Sequence, residues 1–348
     1  MPMPSLRFMK KTMLKGHGDD QYLYKDIRLN FSSNVFHHFD HEGLFCHLAD
    51  RLDDVVSYPE PTPFSLESEL AMLLDLTPEE LCVTSGATEA IYLIAQTFRR
   101  SKTAILQPTF SEYADACRLH EHQISFVYDI DHLPERAQMV WLCWPNNPTG
   151  SVWNKDQLLH CIVSHQEQIF ILDASYAAFT LAPLITPHEA SALPNVLMLH
   201  SMTKDFSIPG LRLGYITGSE NLLHRVRLQR MPWSVNQVAF AAGNYLLMHK
   251  DEYEIDLTAL MAERERMAQA LTALGCIEVW PSDTHILLCK LRFGKASALK
   301  DYLACERGIL IRDASNFEGL DERFFRIAVQ TEDEDDELLK GVIDWLSE

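Results

Sequence analysis

Four short apolar runs recur through the middle of the chain, and polar segments separate them. They lie at residues 103–107, 139–143, 169–173 and 196–200. Runs of this length that are apolar at nearly every position are typical of strands buried on both faces of a parallel sheet. Between two of them, residues 157–164 have the spacing of a helix. The alternation predicts an α/β fold with a large, doubly wound, mostly parallel sheet.

The pattern changes after residue 236. Residues 236–274 predict mostly helix, and three further strands are expected at 285–291, 309–312 and 325–329. The acidic run that follows Thr331 predicts the first turn of a last helix, because Thr331 and Glu334 have capping-box spacing. We therefore expect three units. Residues 1–50 form an N-terminal segment that joins the small domain, residues 51–246 form a large domain, and residues 247–348 form a small C-terminal α+β domain.

Composition and charge narrow the possible partners. The chain has 348 residues and a formal net charge of -19, which disfavours binding to nucleic acid. No apolar run approaches the length of about 18 residues that a membrane span needs, and the lysine-bearing N-terminus has no apolar stretch typical of a signal peptide. The eight scattered cysteines predict reduced core residues without disulfides or a metal site. We expect a cytoplasmic protein.

Polar residues follow the predicted strands where ligands of such sheets gather. Asn147 follows the second strand, Asp173 ends the third, and Lys204 follows the fourth. A lysine that forms a Schiff base, a carboxylate for a pyridinium nitrogen, and hydroxyl and arginine groups for a phosphate are what pyridoxal phosphate needs from a protein. The sequence therefore predicts pyridoxal 5′-phosphate as the cofactor.

Taken together, residues 146–150, 173–176 and 201–212 resemble the fold-type I pyridoxal-phosphate enzymes of the class I/II aminotransferase superfamily. The resemblance covers nearly the whole chain and implies the transferase fold of type I, with a large doubly wound sheet domain and a small α+β domain. It also implies a homodimer with shared active sites, in which Tyr58 reaches the cofactor phosphate of the neighbouring subunit.

The resemblance gives each residue a role. Lys204 matches the Schiff-base lysine, and Asp173 matches the acid that bonds the pyridine nitrogen. Asn147 and Tyr176 match the partners of the ring's 3-oxygen, and Phe110 matches the aromatic residue that stacks on the ring. The cofactor phosphate is expected to be bound by Gly86, Ala87, Thr88, Ser201, Thr203 and Arg212.

Further segments, above all residues 231–236 and 309–320, resemble the L-threonine-O-3-phosphate decarboxylases of cobalamin biosynthesis. This resemblance implies that His17 and Arg312 bind a substrate phosphate. The wider family implies that Arg326 binds the substrate carboxylate and that Asn34 lies in the substrate pocket. The chain departs from the decarboxylases at Gln330, where they carry arginine. It also has Asp19 where they have glycine, and different residues after Asn34.

Two reactions stay open on the sequence. One is the decarboxylation of a phosphorylated amino acid by a carboxy-lyase, and the alternative is transamination by a relative of histidinol-phosphate aminotransferase. They differ in which bond at the substrate Cα stands perpendicular to the cofactor ring, and a sequence does not reveal that rotamer. A third hypothesis, a ligand-sensing domain without activity, is disfavoured because Lys204 and Asp173 are both present.

Overall fold

The computed structural model of the chain describes residues 19–347. Its β-strands are β1 (Leu29–Asn30), β2 (Leu81–Thr84), β3 (Lys102–Leu106), β4 (Gln123–Val127), β5 (Met139–Cys143), β6 (Ile169–Asp173), β7 (Val196–His200), β8 (Gly214–Gly218), β9 (Ile277–Val279), β10 (Ile286–Leu291), β11 (Ile309–Leu310), β12 (Arg312–Asp313) and β13 (Phe324–Ala328). Its α-helices are α1 (Glu42–Asp50), α2 (Phe64–Leu73), α3 (Gly86–Thr97), α4 (Glu112–Leu119), α5 (Lys155–Ser164), α6 (Pro187–Ser191), α7 (Met202–Asp205), α8 (Glu220–Arg227), α9 (Gln237–Met248), α10 (Leu257–Ala273), α11 (Ala296–Tyr302) and α12 (Glu332–Ser347). None of these helices combines the length and apolar character that a membrane span requires.

The largest sheet has seven strands in the order β2-β8-β7-β6-β5-β3-β4. The five adjacent strands β7, β6, β5, β3 and β4 pair in parallel. Strand β8 runs antiparallel to both of its neighbours, β2 and β7. Three of the four strands predicted from the apolar runs coincide with β5, β6 and β7, and the fourth differs from β3 by one residue. The predicted α/β class with a mostly parallel sheet is confirmed.

Successive residues of the central strands pack into two different hydrophobic clusters, one on each face of the sheet. Trp141 packs with Ile94 of α3 on one face of the sheet. Its neighbour Leu142 packs with Leu158 of α5 on the other face. Successive side chains of a strand point to opposite faces, so strands apolar at every position are covered on both sides. This packing explains why the apolar runs lack the alternation of a half-exposed strand.

The helix expected over residues 236–274 is interrupted. It consists of α9 and α10 with a 3₁₀ turn, Lys250–Tyr253, between them. The side chain of Asn236 accepts a hydrogen bond from Ala239 N–H, and that of Asp256 accepts one from Ala259 N–H, both at 2.9 Å. Each helix thus begins at its own capping residue. Asp256 is the signal within the run that marks the second start.

The strand expected over residues 309–312 is two strands in two sheets. Ile309 pairs in parallel with Leu29 of β1, whereas Arg312 pairs antiparallel with Arg326 of β13. The second sheet has the order β12-β13-β10-β9. The chain therefore changes sheets at Ile311, and this step brings Arg312 beside Arg326. The N-terminal segment meets the C-terminal part of the chain through β1, while the division into three units stays a prediction.

The predicted last helix is confirmed, and one expectation about the cysteines is wrong. Helix α12 begins at Glu332, and the Thr331 hydroxyl donates to Glu334 Oε2 at 3.3 Å. All eight cysteines are free thiols, but Cys46 and Cys305 are exposed rather than part of the core. Each lies in a helical segment with one face toward solvent, which the scattered spacing of the cysteines does not reveal.

Candidate active site

A cavity of about 630 Å³ lies beyond the carboxyl ends of β5, β6 and β7. The loops after parallel strands meet at this edge, which is where open α/β sheets bind ligands. Most of the site residues expected from the sequence line this one cavity. They are Asn34, Ala87, Thr88, Phe110, Asn147, Asp173, Tyr176, Ser201, Thr203, Lys204, Arg212, Arg312 and Arg326.

Two expected residues within 19–347 do not line the cavity. Gly86 lies directly behind the guanidinium of Arg212. The side chain of Tyr58 is 85% exposed and packs against the ring of Trp233, with 5.4 Å between ring centroids. His17 lies outside the described residues. Within one subunit, therefore, Tyr58 does not contribute to the site.

Lys204 lies in α7, immediately after β7, and its amine points across the cavity. Its Nζ donates to the main-chain oxygen of Ser33 at 2.5 Å. Burial lowers the pKa of Lys204 to about 7, with the cations of Arg326 and Arg212 acting in the same direction and Asp19 opposing them. A lysine with a pKa near neutrality is a competent nucleophile and proton carrier, because much of it is uncharged. Sequence reasoning missed Ser33, although it directly precedes Asn34.

Asp173 ends β6 and has both carboxylate oxygens fixed. Its Oδ2 accepts from the Tyr113 hydroxyl at 2.6 Å, and its Oδ1 accepts from Ser175 N–H at 2.9 Å. Burial raises the pKa of Asp173, and these hydrogen bonds oppose that rise. The ring of Tyr113 stacks on Trp141 and meets the edge of Phe110. Sequence reasoning missed Tyr113, and its place three residues after Phe110 was the available signal.

Asn34 and Tyr176 form a buried pair on the other side of the cavity. Asn34 Nδ2 donates to the Tyr176 hydroxyl at 3.0 Å. The backbone of Asn34 has φ +54°, a left-handed conformation that asparagine adopts more readily than most residues. Three buried atoms around the cavity have no hydrogen-bond partner among residues 19–347: Asn34 Oδ1, Thr203 Oγ1 and Arg326 Nε. Buried polar atoms are normally paired, so these atoms indicate a polar ligand.

A cradle for an anion is built at the start of α3. Gly86 begins this helix with φ +79°, and a Cβ there would lie 2.7 Å from a guanidinium nitrogen of Arg212. Arg212 has φ +61°, which aims its side chain at the helix start. Backbone N–H groups at a helix N-terminus and an adjacent guanidinium favour a phosphate. Together with Asp173 and Lys204, this cradle fits pyridoxal 5′-phosphate.

Two buried arginines face each other across neighbouring strands. Arg326 donates through Nη1 to Asn147 Oδ1 at 2.6 Å and through Nη2 to the main-chain oxygen of Ser32. Arg312 donates to Asn316 Oδ1 at 2.8 Å. Burial lowers the pKa of Arg326 to about 9 and also lowers that of Arg312. Two cations held this close in a buried place favour anionic ligands.

Comparison with known proteins agrees with this geometry. The family model described as aminotransferase class I and II matches residues 27–342. The threonine-phosphate decarboxylase of Salmonella typhimurium is 30% identical, with 85% of each chain covered. The histidinol-phosphate aminotransferase of Caldanaerobacter subterraneus is 31% identical over 83% of this chain and 84% of its own.

A solved structure, the L-threonine-O-3-phosphate decarboxylase from Porphyromonas gingivalis, superposes with a TM-score of 0.90 and 35% identity. The match covers 92% of this chain and all of that one. The cavity, its lysine and acid, and the family match lead to one conclusion. The chain belongs to the class I and II aminotransferase family and is a pyridoxal 5′-phosphate enzyme.

Proposed function

We propose that the protein is a carboxy-lyase that decarboxylates O-phospho-L-threonine, an L-threonine-O-3-phosphate decarboxylase of cobalamin biosynthesis. One observation carries this proposal. Arg312 and Arg326 are paired across β12 and β13, and both line the cavity. A phosphorylated amino acid has two anionic groups, a carboxylate and a phosphate monoester. The two guanidinium groups provide one cation for each of these two anionic groups. Arg212 is assigned the phosphate of the cofactor.

The environments of the two arginines favour one assignment. Arg326 is held by Asn147 on one side and has a buried Nε without a partner, so it retains a donor for a carboxylate. Arginine binds carboxylates through two parallel hydrogen bonds. Arg312 packs on Phe317, with its guanidinium carbon 5.6 Å from the ring centroid, and is assigned the substrate phosphate. His17 is assigned the same phosphate.

The residues around the cofactor are assigned the remaining roles, which are cofactor attachment, proton transfer and contact with the ring. When bound, pyridoxal 5′-phosphate supplies an electron sink for the charge left at the substrate Cα. Lys204 is assigned the covalent attachment, and its freed amine, with a pKa of about 7, can return a proton to Cα. Asp173 is assigned the ring nitrogen and would keep it protonated. Tyr176 and Asn147 are assigned the ring oxygen, and Phe110 the face of the ring.

We also propose a homodimer in which Tyr58 completes the partner's site. Tyr58 and Trp233 form an exposed aromatic pair, and Val56, Phe64 and Met231 are exposed close to them in sequence. Trp233 N–H donates to Pro61 O at 2.9 Å, which joins the two segments. Exposed apolar side chains grouped in this way favour a protein interface.

A second candidate is an aminotransferase acting on histidinol phosphate. Glutamate, an amino donor with two carboxylates, would also satisfy Arg312 and Arg326. Both reactions start from the same attachment at Lys204, so the same cavity can serve either. They differ in what leaves Cα, carbon dioxide in the first and a proton in the second.

One incubation separates the two candidates. Purified protein with cofactor receives O-phospho-L-threonine and no keto acid. The proposal expects one carbon dioxide and one aminopropanol phosphate for each substrate consumed, since a proton replaces the carboxylate at Cα. Turnover only when histidinol phosphate and 2-oxoglutarate are supplied together would overturn the proposal in favour of the aminotransferase.

A further inference from the structure

Gln330 lies two residues beyond the end of β13 and is 4% exposed. Its side-chain amide makes three hydrogen bonds. The Oε1 atom accepts from His37 N–H at 3.1 Å, and the Nε2 atom donates to Val35 O at 3.0 Å and Ala328 O at 3.1 Å. A single buried amide therefore joins residues 35–37 to the last strand of the second sheet.

The three residues just before this attachment form one wall of the active site, which we call the N-terminal wall (Ser32, Ser33 and Asn34). Ser32 O accepts from Arg326, Ser33 O accepts from Lys204, and Asn34 donates to Tyr176. Each contact depends on where the main chain of residues 32–34 lies.

His37 strengthens the connection between the attachment and the wall. Its backbone N–H is held by Gln330, and its ring nitrogen Nε2 lies 3.2 Å from Ser33 Oγ. The wall is thus tied to Gln330 by the chain itself and by the side chain of His37. Gln330 does not line the cavity, so its effect on the site must pass through these residues.

We infer that Gln330 is a positioning residue that holds the N-terminal wall in contact with Lys204 and Tyr176. Glutamine suits this place because one amide offers both a donor and an acceptor. Alanine would leave two carbonyls and one N–H without their partner, and glutamate would lose the donor to both carbonyls. The inference rests on the proposed roles of Lys204 and Asn34, and it holds for a lyase or an aminotransferase.

The test compares Q330A and Q330E with Q168A in the full-length protein. Gln168 is a matched control because it is also 4% exposed, and its Nε2 donates to Pro134 O at 3.3 Å, remote from residues 32–37. The first readout is hydrogen exchange at residues 33–37. The second is the pH dependence of covalent cofactor attachment to protein from which the cofactor has been removed.

Both variants at position 330 are expected to exchange faster at residues 33–37. The carbonyl of Ser33 stabilises the charged amine of Lys204, so its displacement lowers the lysine pKa and moves the attachment profile to lower pH by about one unit. We expect kcat to fall about tenfold, the effect of losing roughly one hydrogen bond. Q168A is expected to change neither exchange at residues 33–37 nor the attachment profile.

The inference would be overturned if Q330A had the same attachment profile and exchange rates as Q168A. Gln330 would then have only a structural role. If Q330A does not fold, Q330E decides, since it keeps the acceptor for His37 N–H. Failure of both variants to fold would also overturn a specific positioning role. Neither physical readout needs a substrate, so the inference can be judged even if O-phospho-L-threonine is not turned over.

Discussion

Two walls of the active site are built in different ways. The sheet wall consists of Asn147, Asp173 and Lys204, which follow or end three adjacent parallel strands. Facing it are the N-terminal wall and the arginines of β12 and β13. There the hydrogen bond between Arg326 and Ser32 joins residues 294 positions apart in sequence. The sheet wall is placed by the ends of strands. The other side, which we call the opposite wall (residues 32–34, Arg312 and Arg326), is placed by contacts between distant segments.

The difference predicts how each wall responds to substitution. On the sheet wall, the backbone is fixed by the central strands, so a changed side chain alters chemistry and leaves geometry in place. On the opposite side, side chains such as Arg326 and Gln330 hold main-chain carbonyls, so a changed side chain also moves its neighbours. We therefore expect losses in kcat from the first wall and mixed losses in kcat and KM from the second.

The largest effect is expected for K204A. Without the amine, the cofactor has no covalent attachment and the substrate Cα has no proton carrier, so activity should fall by about 10³-fold or more. Borohydride reduction followed by peptide mass analysis should label residue 204 in the wild type and nothing at that position in the variant. K155A is the control, because Lys155 pairs with Glu189 outside the cavity. A label elsewhere in the wild type would remove the basis for the sheet wall.

The next effect is expected for D173N. An amide cannot balance a charged ring nitrogen, so kcat should fall by about 10² to 10³-fold while substrate KM changes little. Y113F removes one hydrogen bond to the same carboxylate and should cost about tenfold. Steady-state kinetics on both variants checks the order. A larger loss for Y113F than for D173N would contradict the assignment of Asp173.

The sheet wall could be predicted from the sequence because its signals are local. The apolar runs locate the strands, and a polar residue at the end of a run, such as Asp173, lies at the edge of the sheet. Tyr113 was missed because its hydrogen bond to Asp173 spans 60 positions and depends on the packing of α4 against the sheet. Its place three residues after Phe110 puts it near the expected cofactor site but does not show that it bonds Asp173.

The opposite wall could be predicted only in part. Asn34, Arg312 and Arg326 were expected from resemblance, and all three line the cavity. Their mutual arrangement was not, because it depends on the change of sheets at Ile311, which splits an apparently continuous strand. The role inferred for Gln330 likewise depends on contacts almost 300 positions apart.

Substitution of the two arginines should separate their ligands. R312Q should lower kcat/KM for O-phospho-L-threonine by about 10- to 100-fold, the loss of a hydrogen bond to a charged group, and should change kcat/KM for unphosphorylated threonine far less. R326Q should lower kcat/KM for both compounds, since both carry the carboxylate. Kinetics with the two substrates gives the measurement. An equal loss for both compounds in R312Q would contradict the assignment of the phosphate.

The smallest effect concerns a buried acid that supports the opposite wall. Asp335 Oδ1 accepts from Gln330 N–H at 3.2 Å. Burial and the adjacent Glu263 raise the pKa of Asp335 well above its ordinary value. The unfolded chain releases the proton of this carboxyl near pH 4, its ordinary value. From pH 4 up to this raised pKa the folded state therefore binds more protons, and the contribution of Asp335 to stability falls as pH rises.

D335N removes this titration and keeps an oxygen for Gln330 N–H. We expect the variant to lose less stability than the wild type between pH 5 and pH 8.5, by about 1.4 kcal/mol for each unit by which the pKa of folded Asp335 exceeds 5 in this range, and to be the more stable protein at pH 8.5. Urea unfolding at the two pH values gives both numbers. D333N is the control, because Asp333 lies in the first turn of α12 and is exposed to solvent. If D335N and wild type lose the same stability over this range, the pKa of Asp335 is not raised in the folded protein. Of the two buried acids, only Asp173 would then have a raised pKa, and Asp335 would have no effect on how the opposite wall responds to pH.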